Sequence, residues 1–197
     1  MSDRKSYANF VEHPRYGRQP HFSGLNPQTD LEGNIFLHWH SPKSCRITNT
    51  AIAANLGKQV SATIPVTHYY DVERQCRDCR QMFIFFAAEQ KYWYEELQFP
   101  LESDCVRCFP CREKQRQIAH SLKHYETLFH VDERTSEQSL LMLECCLYLI
   151  ENDVFDCTPK QTQQVNRLLK AVGDHPKFKS RLEKISQRFR KIQCEIV

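Results

Sequence analysis

The carboxy-terminal half of the chain is patterned for helices. In "CREKQRQIAHSLKHYETLFH", Ile118, Leu122, Tyr125 and Phe129 recur at spacings of four, three and four, which predicts one buried helical face. "TSEQSLLMLECCLYLIEN" is apolar on nearly every side, with Thr135 and Gln138 placed for a capping box, and is expected to be the central helix of this unit. "TPKQTQQVNRLLKAVG" has Thr158 as cap, Pro159 at the first helical position, Gln161 in the reciprocal capping place and Gly173 as stop. A last helix is predicted from near Pro176, with Phe178, Leu182, Ile185, Phe189 and Ile192 in one stripe. Four helices are therefore expected after the cysteine-rich region.

Upstream the periodicity breaks down. Residues 1–34 mix glycine, proline, arginine and aromatic residues with neither helical period nor strand alternation, and read as an extended arm. Residues 35–69 hold one expected short strand, Ile35 to Trp39, followed by an irregular linker. In residues 70–116, "QMFIFF" reads as a strand and "AAEQKYWYEEL" as a short helix, and 117–197 form the helical unit.

Composition narrows the class. The chain has 197 residues and 41% hydrophobic content, enough for a real core. Its first residues contain no apolar run of signal-peptide length, and no stretch approaches the roughly 18 apolar residues of a membrane span, so a soluble, cytoplasmic protein with no membrane contact is expected. In that setting ten cysteines read as reduced thiols, some of them holding metal, rather than as a disulfide framework. The net charge of +3 implies no partner by itself. Its distribution says more: Lys177 to Lys191 holds seven basic residues and one acidic one.

Cysteine spacing supplies the sharpest chemistry. A Cys-x2-Cys pair lets one tight turn place two sulfurs on one ion, and two such pairs close a tetrahedral Zn²⁺ shell. Cys76 and Cys79 form the first pair, while the second is either Cys105 with Cys108 or Cys108 with Cys111. Cys108 and Cys111 are preferred because a charged helical stretch follows directly, and a helix amino terminus favours thiolates. Pro110 suits that first turn, and Asp104 disfavours a thiolate at Cys105. Cys105 is left as a buried thiol, with roles as a redox thiol or alternate ligand kept open. The 28 residues between Cys79 and Cys108 exceed the common zinc spacing of roughly 15 to 20. Knuckle, strand, insertion, knuckle and helix is the order of a treble-clef or zinc-ribbon finger.

Cys76 and Cys79, Phe83 and Phe85, Glu89 and Gln90 with Tyr92 and Tyr94, then Arg107, Cys108, Cys111 and Arg112 follow one pattern. In these residues the stretch from Tyr70 to Arg116 resembles the probable zinc-ribbon, treble-clef-like domain family of uncharacterised bacterial proteins. The resemblance implies zinc binding and a fold, and no activity. It also implies a glycine after the second cysteine, where the turn wants a positive φ. This chain has Arg80 there, at a cost of about 1 kcal/mol.

The expected fold class is thus α+β: an extended arm, a small four-cysteine knot and an α-helical unit. The remaining candidates read more plainly. His38, His40 and His68 lack a nearby acid or thiol to complete a second metal site and are expected to be surface or hydrogen-bonding histidines. Glu89, Glu95 and Glu96 are expected on a solvated helix face, and Cys145, Cys146, Cys157 and Cys194 in apolar packing. Two features point outward, an arm with Arg15 and Arg18 and a last helix with Lys177, Lys179, Arg181, Arg188, Arg190 and Lys191. They suit RNA or the ribosome. The other reading is a protein-interaction adaptor built on the helical unit. With no complete nucleophile and base arrangement and no open metal position, neither an enzyme nor a small-molecule substrate is expected.

Overall fold

A computed structural model describes residues 6–60, 64–173 and 176–195, with side chains described through 192. The chain divides into two compact units, Met1–Arg112 and Glu113–Val197.

The first unit is built on a hairpin, β3 (Val72–Gln75) paired antiparallel with β4 (Met82–Phe85), with Val72 opposite Phe85 and Gln75 opposite Met82. Alternation along β4 gives the hairpin two buried faces. Phe83 and Phe85 pack with Cys76, Cys105 and Cys108, whereas Ile84 and Phe86 pack with Tyr7, Phe10 and Ile47. A short helix α1 (Ala87–Lys91) follows and continues as a π-helical turn, Tyr92–Glu96. A second small ladder joins β1 (Ile52–Ala53) to β2 (His68–Tyr69).

The amino-terminal segment is irregular, as its composition predicts, but its described residues do not stand apart from the domain. Tyr7, Phe10 and His13 are buried, and the Val11 amide donates to the Met82 carbonyl at 2.8 Å beside β4. Aromatic residues placed between charges gave the segment something to bury that periodicity does not reveal. The strand expected over Ile35 to Trp39 is absent. Only isolated bridges form there, at Ile35 and Leu37, because the chain turns at once, with the Ser41 amide donating to the His38 carbonyl at 2.9 Å.

Four helices follow the cysteines: α2 (Phe109–Phe129), α3 (Ser136–Glu151), α4 (Pro159–Val172) and α5 (Lys179–Glu195). The α3 capping box is complete, Thr135 accepting from the Gln138 amide and Gln138 from the Thr135 amide. Thr158 caps α4, and Gly173 ends it at φ 67°. α3 is buried nearly all round, as expected of a central helix. Phe178, Ile185 and Phe189 meet its core with Leu182 and Ile192 at the edge. The α2 stripe is shifted from its predicted position: Tyr125 and Leu128 are buried, while Phe129 is 53% exposed. Cys145 and Cys146 are buried and Cys157 half-buried in this core; Cys194 lies outside the residues whose side chains are described.

α3 and α5 run parallel, locked by rungs two helical turns apart. Glu144 takes a two-pronged pair from Arg181 at 2.9 and 2.6 Å, and Glu151 one from Arg188 at 2.7 and 2.5 Å. Lys177 pairs with Glu137 one rung earlier. Three of the basic residues expected to face a nucleic acid are therefore engaged by acids of their own unit, which the charge count along α5 alone could not reveal. Lys179, Arg190 and Lys191 remain exposed.

Candidate metal centre

The turn between β3 and β4 is the first knuckle. The Cys76 amide donates to the Gln81 carbonyl at 2.9 Å, and the Arg80 amide donates to the Cys76 carbonyl at 3.0 Å. Arg80 closes the turn at φ 61°, the left-handed region that a side chain makes costly. Replacing Arg80 with glycine is expected to raise the thermal midpoint by relieving up to about 1 kcal/mol of strain, partly offset by the greater freedom of glycine in the unfolded chain. Arg80→Ala, equally strained, is expected to give no such gain.

The second knuckle leads straight into α2. The Arg112 amide donates to the Cys108 carbonyl at 3.0 Å, so Cys108 sits at the helix start and Cys111 in its first turn, as predicted. Two contacts tie the knuckles together: the Arg77 amide donates to the Val106 carbonyl at 2.9 Å, and Arg107 Nε meets Asp78 Oδ2 at 2.8 Å.

This brings the sulfurs of Cys76, Cys79, Cys108 and Cys111 within 4.8 Å of one another, with Cys79 and Cys108 3.7 Å apart. Four thiolates about 2.3 Å from a tetrahedral ion would be roughly 3.8 Å apart, so the group fits such an ion without rearrangement of the fold. Its electrostatics also call for a cation. Burial works against the thiolates of Cys76, Cys108 and Cys111, but backbone N–H groups of Cys79, Cys108 and Asp78 outweigh it at Cys76, lowering that thiol to about 6. Burial, helped by the neighbouring Cys76 and Cys79, pushes Cys108 up to about 11 and raises Cys111 as well. With Cys108 and Cys111 raised, a positive ion is needed to hold four thiolates together.

Cys105 is not among the four. It is buried beside them, its Sγ donating to the Arg107 carbonyl at 3.4 Å, and burial pushes its thiol up to about 12. Cys105→Ala is expected to leave the metal-to-protein ratio unchanged and Cys108→Ala to abolish binding, as read by elemental analysis of the purified variants.

The acidic residues contradict their expected solvated face. Glu89 and Glu95 are buried, at 4% and 3% exposure, and only Glu96 is exposed, pairing with Lys58 at 2.7 Å. Glu89 Oε1 meets Arg112 Nη2 at 2.6 Å and lies 3.3 Å from His13 Nε2. The Arg112 guanidinium also sits 5.0 Å over the Trp93 ring. Glu95 accepts from the Asn55 amide at 2.7 Å. Gln90, next to Glu89, donates to the carbonyls of Tyr70 and Phe85. Period alone could not find this network: Glu95 has Lys91 four residues away at 3.7 Å, but the partners that bury Glu89, Gln90 and Glu95 are distant in sequence.

Residues 70–120 match the model of a family described as a probable treble clef domain. No curated protein and no solved structure matches the chain. The treble clef match gives the buried network its context: Glu89, Gln90, Arg107 and Arg112 brace the two knuckles and the helix that carries the second. His38, His40 and His68 stand outside it. His38 is buried, its Nε2 2.8 Å from the Leu101 carbonyl, and burial lowers it to about 4 against the pull of that carbonyl. His40 lies 3.9 Å from Asp104, and His68 Nδ1 3.1 Å from the Thr67 hydroxyl. Of the proposed outward contacts, Arg18 is taken up by the Ala8 carbonyl at 3.0 Å and by Glu12 at 3.1 Å. Arg15 lies over the rings of Tyr16 and Tyr92. Among the described residues, no helix is long and apolar enough to cross a membrane.

Proposed function

We propose that this protein is a non-enzymatic interaction module in which one structural zinc ion, held by Cys76, Cys79, Cys108 and Cys111, shapes the treble clef domain, while the helical unit engages a protein partner. Zinc suits a tetrahedral set of four sulfurs, and such a shell leaves no position for a reacting water. The protein partner rests on a groove of about 610 Å³ in the helical unit, walled by Leu122, Tyr125, Phe129 and Phe155. Lys160 and Arg167 line the same groove with one acid, Glu126, leaving it net positive. Its charge suits an acidic segment that inserts an apolar anchor beside half-exposed Phe129.

The test is capture of the tagged protein from its own cells across a salt series, with and without RNase, alongside the Phe129→Glu variant. A protein complex that survives RNase and is lost in Phe129→Glu supports the adaptor. A complex lost with RNase and weakening steeply with salt would instead place RNA or the ribosome on Lys179, Arg190, Lys191 and Arg15.

A further inference from the structure

Away from the cysteines, α2 brings two imidazoles together. His120 and His124 are one helical turn apart and share a face. Their Nε2 atoms lie 3.0 Å from each other, with ring centroids 4.2 Å apart and planes at 72°. Among the described residues no third histidine, cysteine or carboxylate joins them. His120 is exposed and borders a hollow of about 380 Å³ lined also by Arg116, Gln117, Ser121 and Tyr148.

We propose that His120 and His124 form a second metal site, a two-imidazole chelate for a Ni(II)- or Cu(II)-class ion, separate from the four-cysteine centre and independent of the partner proposed above. The nitrogen separation fits this class. Two imidazole nitrogens about 2.0–2.1 Å from one ion and 3.0 Å from each other subtend roughly 91–97° at the metal. That is the cis angle of a square-planar or octahedral centre, which Cu(II) and Ni(II) favour. Zinc also accepts an i, i+4 imidazole pair, and it is sorted to the cysteines by ligand softness. Imidazole is the donor these ions prefer among side chains without sulfur, and the hollow beside His120 leaves room for water or an anion to complete the shell. The competing account of the 3.0 Å contact is a single N–H···N bond, one neutral ring donating to the other.

Titration of the full-length, zinc-loaded protein with Ni(II) separates the two. Calorimetry reads the affinity, NMR reads the imidazole signals, and a colorimetric indicator follows zinc release. The expected result is one Ni(II) per chain, shift or paramagnetic loss of the His120 and His124 imidazole signals and retained zinc. His120→Gln and His124→Gln should each weaken binding about tenfold or more by removing one arm of the chelate. His130→Gln, at the exposed end of α2, should leave it unchanged. Both test positions are on the helix surface, and circular dichroism checks that the variants stay folded. Ni(II) affinity unchanged in the two variants, or nickel taken up only as zinc is released, would overturn the proposal and leave the contact as an N–H···N bond only.

Discussion

Chelating the metal is expected to unfold the treble clef domain while α3, α4 and α5 keep their helical signal. Each strand of the β3–β4 hairpin has four residues, and a two-stranded hairpin is marginal in water. Beneath it, the cluster around the metal holds only Phe83, Phe85 and buried cysteines, with Val11, Trp93 and Cys111 at its edge. Without a cation, the two knuckles are joined by the Arg77 to Val106 bond and the half-exposed Arg107–Asp78 pair. The second of these is worth at most about 1 kcal/mol. Structural zinc contributes roughly 10–16 kcal/mol of apparent binding free energy in small sites, and that energy is coupled to folding. The helical unit has its own core around α3, which is buried nearly all round. Hydrogen exchange before and after chelation reads both units in one experiment: protection should vanish over 72–85 and persist over 140–150. Unchanged protection in the hairpin would mean that the metal, if bound, does not hold the fold.

Glu89→Ala is expected to destabilise the first unit strongly, by about 3 kcal/mol or more, because it strands a largely buried arginine. Arg112 is held between Glu89 and the Trp93 face and has little access to water. His13 would lose its neighbour as well, and with it part of the anchor of the amino-terminal segment. His13 Nδ1 accepts from the amides of Arg15 and Tyr16 at 3.1 and 3.2 Å, which leaves the ring proton on Nε2, facing Glu89. Arg112→Met should be nearly as damaging by leaving the carboxylate alone. The pair of changes Glu89→Ala with Arg112→Met should cost less than the sum of the single ones, since neither charge is then stranded. Denaturant unfolding of the zinc-loaded variants measures all three, and additive costs would mean that the two residues act separately.

Local chemistry was legible wherever neighbours in sequence carry it. The caps at Thr135 and Thr158, the stop at Gly173 and the stripe of α5 are written within a few residues, and the structure places them as predicted. The same holds for the knuckles: two Cys-x2-Cys turns and the helix after Cys108 were enough to choose Cys111 over Cys105 for the cluster. The cost at Arg80 follows from the resemblance, which implies a glycine after the second cysteine, and the structure puts Arg80 at φ 61°.

What could not be read was burial by distant partners. A two-residue strand such as β1 has no period to detect. Glu89 looks like any helix-surface acid until Arg112 and His13 close over it. Likewise, Arg181 and Arg188 look like a basic patch until a parallel α3 supplies Glu144 and Glu151 at the matching spacing. The placement of Leu128 rather than Phe129 in the core is a smaller error of the same kind. A helical stripe about three residues wide admits either neighbour, and contacts from other helices choose between them.

The central claim is that one zinc ion sits among Cys76, Cys79, Cys108 and Cys111. Zinc-edge X-ray absorption on the protein purified without added metal tests it most directly. The account predicts one zinc per chain with four sulfur neighbours at roughly 2.3 Å. A shell containing nitrogen or oxygen, or a four-sulfur shell that persists in Cys111→Ala but is lost in Cys105→Ala, would contradict it.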